Sequence, residues 1–381
     1  MVGFGGGVAS LSMAGAGSGY VHPYDDMSNF SGATRIGSTD IIYYSSSGTY
    51  TFTDPNAGAS KFRFTVVGGG GASEGDNSGW FSNTGAGGGG AARGEIQTAS
   101  TLDIGVAQGG GSPVVTYPTV DTTGDLDTSK QNANAWIQNS VQSSDNGINR
   151  VYGRGGTSYV KEQSASVNSG NELLRGRGGL VGLAFYHNYG SPYQNTHAYY
   201  NLTSMVGSSG FGWRYGNGIW HNGGDAYVNA SGLNGSVTVS NGSVETGGIG
   251  GSAYHASSIT GYAKHPSDPN TGSGAQATNG QNRTYAGGGG GGGASSGSGN
   301  TQGMGGTSSG LSTLLSGSGI NPRGGNGAYQ STAADSGAAG GGRGGTSHYS
   351  GAPNSQMFDD LHYAADGIVI VEFLNASELG V

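Results

Sequence analysis

An alternating strand that runs straight into consecutive glycines is the feature that most restricts what this chain can fold into. Residues 61–67 read KFRFTVV, which places Phe62, Phe64 and Val66 on one face and the polar side chains on the other. This alternation predicts a half-buried β-strand. Four glycines, 68–71, follow with no turn residue between. A flexible linker has no reason to be joined to a strand in this way, so the junction favours a folded glycine-rich domain with strands at its base.

The same kind of junction occurs at two other places in the chain. Residues 101–111 read TLDIGVAQGGG, and residues 367–373 read GIVIVEF after a glycine-rich and polar region. The last strand is apolar on both faces, which predicts a central position in a sheet. We therefore expect a mostly β fold in which strands 61–67, 101–107 and 367–373 share one sheet.

Composition supports a folded but unusual chain. Glycine accounts for 83 of 381 residues, about three times its usual share, and charged residues are only 10%. Such low charge argues against simple disorder, which usually comes with high net charge. We predict an N-terminal attachment and assembly arm at 1–40, a glycine-rich β domain at 41–374 with insertions at 113–150 and 181–234, and a C-terminal tail at 375–381.

Turn residues predict three hairpins within this domain. They are 41–67, turning at Asp54-Pro55-Asn56; 91–108, turning at Ala99-Ser100; and 235–245, turning at Asn241-Gly242. No amphipathic helix is predicted. Leu311, Leu314 and Leu315 have helical spacing, but glycines and serines surround them.

The glycine runs between strands need a structure that does not depend on side-chain burial. Fixing each residue costs on the order of 1–2 kcal/mol of backbone entropy, and glycine loses most. Polyproline-II helices have three residues per turn and no internal hydrogen bonds, so their N–H and C=O groups can bond neighbouring helices. We predict a small β-scaffold with packed polyglycine-II helices and long loop insertions, with runs 87–90, 287–293 and 340–342 at the centre of the bundle. The alternative is a flexible Gly/Ser linker.

The motif Gly-Arg-Gly-Gly places Arg154, Arg177 and Arg343 between glycines. We expect these arginines to hold the bundle together by donating hydrogen bonds to its carbonyl groups. The alternative is an RNA-binding tract, which the net charge of −8 disfavours.

Five motifs, taken in order, carry a resemblance to a known family. They are TFTDP at 51–55, TVVGGGG at 65–71, GGGGAARGEI at 87–96, IGVAQGGG at 104–111 and DGIVIVEF at 366–373. Together they resemble the glycine-rich domain of tailed-phage tail-fibre proteins, and T-even-type adhesins at fibre tips carry a similar domain. The similarity covers roughly 45–112 and 285–374. It implies a β-scaffold that supports packed polyglycine helices, with variable loops at the tip that touch the host surface. This chain departs from the family in its long insertions and in having no recognisable fibre-attachment domain near its N-terminus.

The best candidates for a binding site lie in the insertion at 185–221, where tyrosine and tryptophan alternate with glycine, serine and asparagine. Rigid amphipathic rings among adaptable polar groups are typical of antibody-like binding surfaces and also suit sugars. Alternatively, each ring fills a core that glycines cannot provide, with its hydroxyl paired. We predict receptor contacts by Tyr186, Tyr189, Tyr193, Tyr199, Tyr200, Trp213, Tyr215 and Trp220, together with Trp80 between two glycine runs.

Several classes of function are disfavoured by what the sequence lacks. There is no cysteine, which excludes disulfides and thiolate metal sites. No basic stripe predicts nucleic-acid binding, and no segment approaches the roughly 20 apolar residues that span a membrane. No nucleophile, base and orienting group are recognisable together. We therefore predict that the protein is not an enzyme and has neither a cofactor nor a metal.

Two functions remain open. In the first, the protein is a phage tail-fibre or receptor-binding protein that recognises a bacterial surface glycan or outer-membrane protein. In the second, it is a self-assembling structural subunit of a virion or extracellular filament. Both place it in a virion or outside the cell, and both predict a homo-oligomer or contacts with other subunits through residues 1–40.

Overall fold

The computed structural model of the protein describes most of the strands and glycine runs and part of the loops. The described residues are 19–72, 85–110, 155–163, 172–179, 223–229, 237–251, 253–255, 275–293, 302–328, 332–345 and 363–381. The strands are β1 (Thr34–Arg35), β2 (Ile41–Tyr44), β3 (Gly48–Phe52), β4 (Phe62–Val67), β5 (Ala91–Ile96), β6 (Leu102–Val106), β7 (Ser158–Glu162), β8 (Glu172–Gly176), β9 (Ala226–Val228), β10 (Val239–Glu245), β11 (Ala253–His255), β12 (Ala275–Ala277) and β13 (Ile368–Phe373). The α-helices within these ranges are α1 (Ser309–Leu314) and α2 (Ala376–Leu379).

Two antiparallel sheets form a sandwich. One has the order β1-β2-β13-β4-β5-β10 and the other the order β3-β6-β7-β8-β9, while β11 and β12 form a separate pair. The mostly β prediction is therefore confirmed. So is the central position of the last strand, because β13 pairs with β2 on one side and β4 on the other.

The main core lies between the two sheets. Phe64 of β4 and Val371 of β13 contribute from the first sheet, while Phe52, Leu102 and Ile104 contribute from the second. Strand β4 buries alternate apolar residues here, as its sequence predicted. At roughly 25 cal/mol per Å² of apolar surface removed from water, this core is the main source of side-chain stabilisation in the molecule.

A second, smaller core covers the opposite face of the six-stranded sheet. Ile368 and Ile370 of β13 point to this face, where Leu311 and Leu315 of the α1 region pack against them. The prediction that the chain has no amphipathic helix is therefore wrong. The spacing of the leucines is helical after all, and burial of Leu311 against the sheet stabilises a helix that is too short to persist alone.

The three predicted hairpins are wrong. At two of the turns the flanking strands belong to different sheets, and the third predicted turn lies within a single strand. Strands β3 and β4 flank the turn at Asp54 but lie in opposite sheets, as do β5 and β6. For the same reason 101–107 does not share a sheet with the other two predicted strands. Asn241 and Gly242 lie inside β10, where the register shifts between Ser240 and Ser243. Asn241 has a positive φ of 51°, so the turn-like dipeptide forms a β-bulge here.

Residues 19–40, which we predicted as part of a separate arm, pack onto the sandwich in the structure. The hydroxyl of Tyr24 donates to the carbonyl oxygen of Val371 at 3.1 Å. The ring of Phe30 lies 4.9 Å from that of Phe52, and β1 extends the six-stranded sheet. The C-terminal residues also belong to this domain, because the side chain of Asn375 accepts a hydrogen bond from the Lys61 backbone N–H at 2.7 Å. Residues 1–18 lie outside the described residues.

Candidate receptor-binding end of the glycine lattice

Extended glycine-rich segments continue from the strands and hydrogen-bond to one another. We call this assembly the glycine lattice; it comprises 68–71, 85–90, 107–110, 155–156, 177–179, 223–225, 247–251, 278–281, 287–292, 303–307, 323–328, 340–345 and 364–367. Its contacts recur every three residues. Gly287 N–H donates to the Gly89 carbonyl and Gly290 N–H to the Ala86 carbonyl, both at 2.8 Å. A step of three is the repeat of the polyproline-II helix, so these segments are polyglycine-II helices.

The three runs that we predicted at the centre lie side by side, which confirms that prediction. The segments 85–90 and 287–292 bond directly, and both also bond 340–345. Segment 85–90 is bonded to six neighbours, namely 68–71, 177–179, 223–225, 247–251, 287–292 and 340–345. Because three residues per turn aim the backbone groups in all directions around the axis, six neighbours amount to hexagonal packing.

Glycine is required in the lattice because the neighbouring backbones leave no room for a side chain. A Cβ built on Gly70 would overlap the carbonyl oxygen of Gly341, and one on Gly290 would overlap that of Arg343. These obstacles are backbone atoms, which no rotamer change can move aside. The runs are therefore packing elements rather than linkers.

Charged side chains close the edges of the lattice. Arg343 donates to the carbonyl oxygens of Tyr363 at 3.2 Å and Ala334 at 3.1 Å, as predicted for its motif, and burial lowers the pKa of its guanidinium to about 10. Arg177 is buried, and Arg154 lies outside the described residues. The carboxylate of Glu245 accepts hydrogen bonds from the backbone N–H groups of residues 284–286, just before the central glycine run begins.

Hydrogen-bond register shows which end of the lattice faces away from the sandwich. Gly68 N–H donates to the Gly90 carbonyl at 3.0 Å beside β4 and β5, and Gly71 N–H donates to the Gly87 carbonyl at 2.9 Å farther out. The chain thus runs outward through 68–71 and inward through 85–90. We call the outer end of the lattice the loop end.

The other lattice segments have the same polarity. For example, 107–110 leads outward from β6, and 155–156 leads back to β7. At the loop end the chain leaves the lattice and returns to it seven times. These excursions run between residues 72 and 85, 110 and 155, 179 and 223, 251 and 278, 293 and 302, 328 and 332, and 345 and 363. Strands β11 and β12 extend from this end as a paired stem.

The predicted receptor-binding residues all lie outside the described residues, so the structure does not show whether they come together. What it does show is where their segments join the fold. Residues 179 and 223 bound the segment that contains Tyr186 to Trp220, and both lie at the loop end. The insertion predicted at 181–234 is interrupted by lattice residues 223–225 and by β9, whereas the insertion at 113–150 lies outside the described residues.

Tyr363 and Met304 are described, lie next to the loop end, and were not predicted as site residues. Their exposed fractions are 51% and 47%. Neither residue belongs to an aromatic cluster in the sequence, so no pattern identified them. They add apolar surface to the end of the lattice from which the long segments leave.

The described residues contain little else that resembles a site. They include no cluster of three or more histidine, cysteine or carboxylate side chains that could hold a metal. An open groove of about 560 Å³ lies near Lys61, Glu95 and Gln97, away from the loop end. The Glu95 carboxylate beside it is already bonded to Lys61, Arg63 and Asn241.

The chain has no match among protein-family models, and a comparison with curated proteins finds no similar sequence. In the described part of the chain, no helix is long and apolar enough to cross a membrane.

Proposed function

We propose that the protein is a tail-fibre or receptor-binding structural protein of a virion, and that it recognises a bacterial surface glycan or protein through its Tyr/Trp-rich segment. The observation that carries this proposal is the polarity of the lattice. Seven of the segments that join one lattice segment to the next lie at the loop end, and the longest of them, including 180–222, begin and end there. A rigid base with variable-length segments at one end is a favourable design for recognition.

The two described ends of the chain lie at the opposite end of the molecule. Strand β13 runs away from the lattice to Phe373, and Val21 is held beside the turn at Asn56 by two hydrogen bonds of 3.0 and 2.9 Å. Attachment to other virion subunits through the N-terminal region, which we also propose, would therefore leave the loop end free. Ring stacking and asparagine hydrogen bonds on the joining segments would suit a glycan.

The test is the double substitution Trp213→Ala/Trp220→Ala, measured for cell binding and for melting temperature on the same preparation. Cell binding uses purified protein and the bacterial strain, out of a panel, that binds the unmodified protein best. Two exposed anchors at the centre of an interface should cost about 2 kcal/mol or more of binding energy, or roughly thirtyfold in affinity, with little change in melting temperature.

Tyr20→Ala is the matched control, because Tyr20 is 43% exposed at the opposite end of the molecule. It should leave both cell binding and melting temperature unchanged. Unchanged cell binding together with a large fall in melting temperature for the tryptophan double variant would instead indicate buried rings. Long polymers in electron micrographs of the purified protein would then favour the filament subunit.

A further inference from the structure

The outer face of the five-stranded sheet carries a buried lysine between carboxylates. Lys161 of β7 is only 5% exposed. It lies directly opposite Asp103 of β6 in the strand register, and its Nζ is 2.7 Å from Asp103 Oδ2. Holding the amine beside the carboxyl group makes a reaction between the two effectively unimolecular.

A bulge brings a second carboxylate to the other side of this lysine. The register of β7 and β8 shifts between Val160 and Lys161, so that Glu172 is opposite Lys161. Directly opposed residues have Cβ atoms about 4.5–5.5 Å apart. Glu172 is 2% exposed and bonds Arg175 at 3.5 Å. Lys161 thus has a carboxylate opposite it on each neighbouring strand.

We propose that Lys161 and Asp103 form an intramolecular isopeptide bond. The proton passes first from the ammonium group to the Asp103 carboxylate across their hydrogen bond, which leaves an amine and a carboxylic acid. The amine Nζ then attacks Cγ, and the Cγ–OH bond breaks. The products are one amide bond and one water molecule, with no oxidant or other reactant.

The surroundings of the pair favour this reaction in two ways. Burying two opposite charges costs several kcal/mol per ion before their attraction is counted, and an amide removes both charges. Glu172 lies opposite Lys161 in the strand register, and we assign to it the transfer of the proton from Nζ to the hydroxyl that leaves as water. The chain contains no cysteine, so a disulfide cannot provide the same covalent tie.

The bond would tie together the two strands that frame one of the long segments. Strand β6 leads into lattice residues 107–110, and 155–156 lead back into β7. A covalent link between Asp103 and Lys161 therefore closes the base of the whole 111–154 segment. A pull on that segment would then load an amide bond and not only the hydrogen bonds between β6 and β7.

Mass spectrometry of the intact, denatured full-length chain tests the proposal. The expected result is a mass lower than that of the encoded chain by one water molecule, and a protease digest in which the peptides containing Asp103 and Lys161 are joined. An unreduced mass, both after purification and after prolonged incubation, would overturn the proposal without any variant.

Two substitutions identify the atoms. Lys161→Arg keeps the positive charge but has no amine nucleophile, so it should restore the full mass. Asp103→Asn should still form the amide but lose ammonia in place of water. A loss of water that persists in Lys161→Arg would originate elsewhere in the chain and would also overturn the proposal.

Discussion

The sandwich and the glycine lattice are joined end to end, yet they are stabilised by different interactions. The sandwich buries large side chains such as Phe52 and Phe64, and its stability follows apolar surface. The lattice has almost no side chains to bury. Each of its hydrogen bonds contributes a net ~0.5–1.5 kcal/mol, with weak Cα–H···O contacts in addition, against the large entropy that glycine loses. Dense backbone pairing on all sides is therefore what makes the lattice stable.

The comparison also shows why the lattice needs the sandwich. Strands β4 and β5 are paired through Val67 and Ala91, the residues that immediately precede and follow the lattice segments 68–71 and 85–90. Their register fixes the starting points of two lattice helices, which lowers the entropy cost of aligning the glycines. The sheets therefore fix where these lattice helices begin, and the lattice extends that alignment to the loop end.

The largest expected difference between the two regions concerns a single methyl group. Gly290→Ala adds a methyl group where the Arg343 carbonyl already lies. We therefore expect the free energy of unfolding to fall by about 3 kcal/mol or more, at or above the top of the usual range for overpacking. Ile104→Val removes one from the sandwich core and should cost about 0.5–1.5 kcal/mol. Denaturant unfolding of the two variants measures both values.

Gly19→Ala is the control for the glycine substitution, since a Cβ at Gly19 meets no atom within 4 Å. It should unfold like the parent. Equal losses for Gly290→Ala and Ile104→Val would show that the lattice yields as readily as a side-chain core, and the contrast drawn between the regions would not hold.

Local patterns in the sequence were enough to predict what is local in the structure. The alternation around Phe64 predicted its strand and its buried face. The glycine runs at 87–90 and 287–293 predicted neighbouring polyglycine helices, because polyproline-II geometry leaves their N–H and C=O groups free to bond one another. The position of β13 followed from its two apolar faces.

Which strands pair with which could not be predicted from these patterns. Neighbouring strands β5 and β6 belong to different sheets because each contributes its apolar face to the core from the opposite side, and this is a long-range choice. The packing of Tyr24 on Val371 joins residues 347 positions apart, and the segment around it has little apolar periodicity. The predicted receptor residues, such as Trp213 and Trp220, stay predictions.

Acid should act on the sandwich through Glu95. Its carboxylate accepts hydrogen bonds from Lys61, Arg63 and Asn241. These bonds lower the pKa of the carboxyl group to about 2, and the bond from Lys61 has the largest effect. A carboxyl group with a lowered folded-state pKa stabilises the protein fully above its unfolded pKa of about 4.3, and this contribution disappears as the pH falls towards the folded value.

The measurement is the melting temperature of the parent and of Glu95→Gln between neutral pH and about pH 2. The parent should be the more stable at neutral pH, and the difference should shrink progressively below about pH 4.3. A difference that stays constant over this range would mean that the charge of Glu95 contributes nothing to folding.

The smallest expected effect compares two arginines that each donate to two backbone carbonyls. Arg343 does so in the lattice, with Tyr363 and Ala334. Arg35 does so on the sandwich, with Thr39 at 2.9 Å and Tyr24 at 3.0 Å. Arg343→Lys loses one of two hydrogen bonds but also removes an Nε–H that is shielded from solvent without a partner, so we expect a net loss of only about 1 kcal/mol.

Arg35→Lys should cost less than this, within about 0.5 kcal/mol, because water can replace the lost donor at the sandwich surface. Water reaches the Arg343 guanidinium less readily, since burial already lowers the pKa of that group. Matched denaturation curves of the two variants decide the point. If Arg35→Lys were the more damaging of the two, the arginine would not be what closes the lattice edge, and the backbone pairing beneath it would have to stabilise that edge alone.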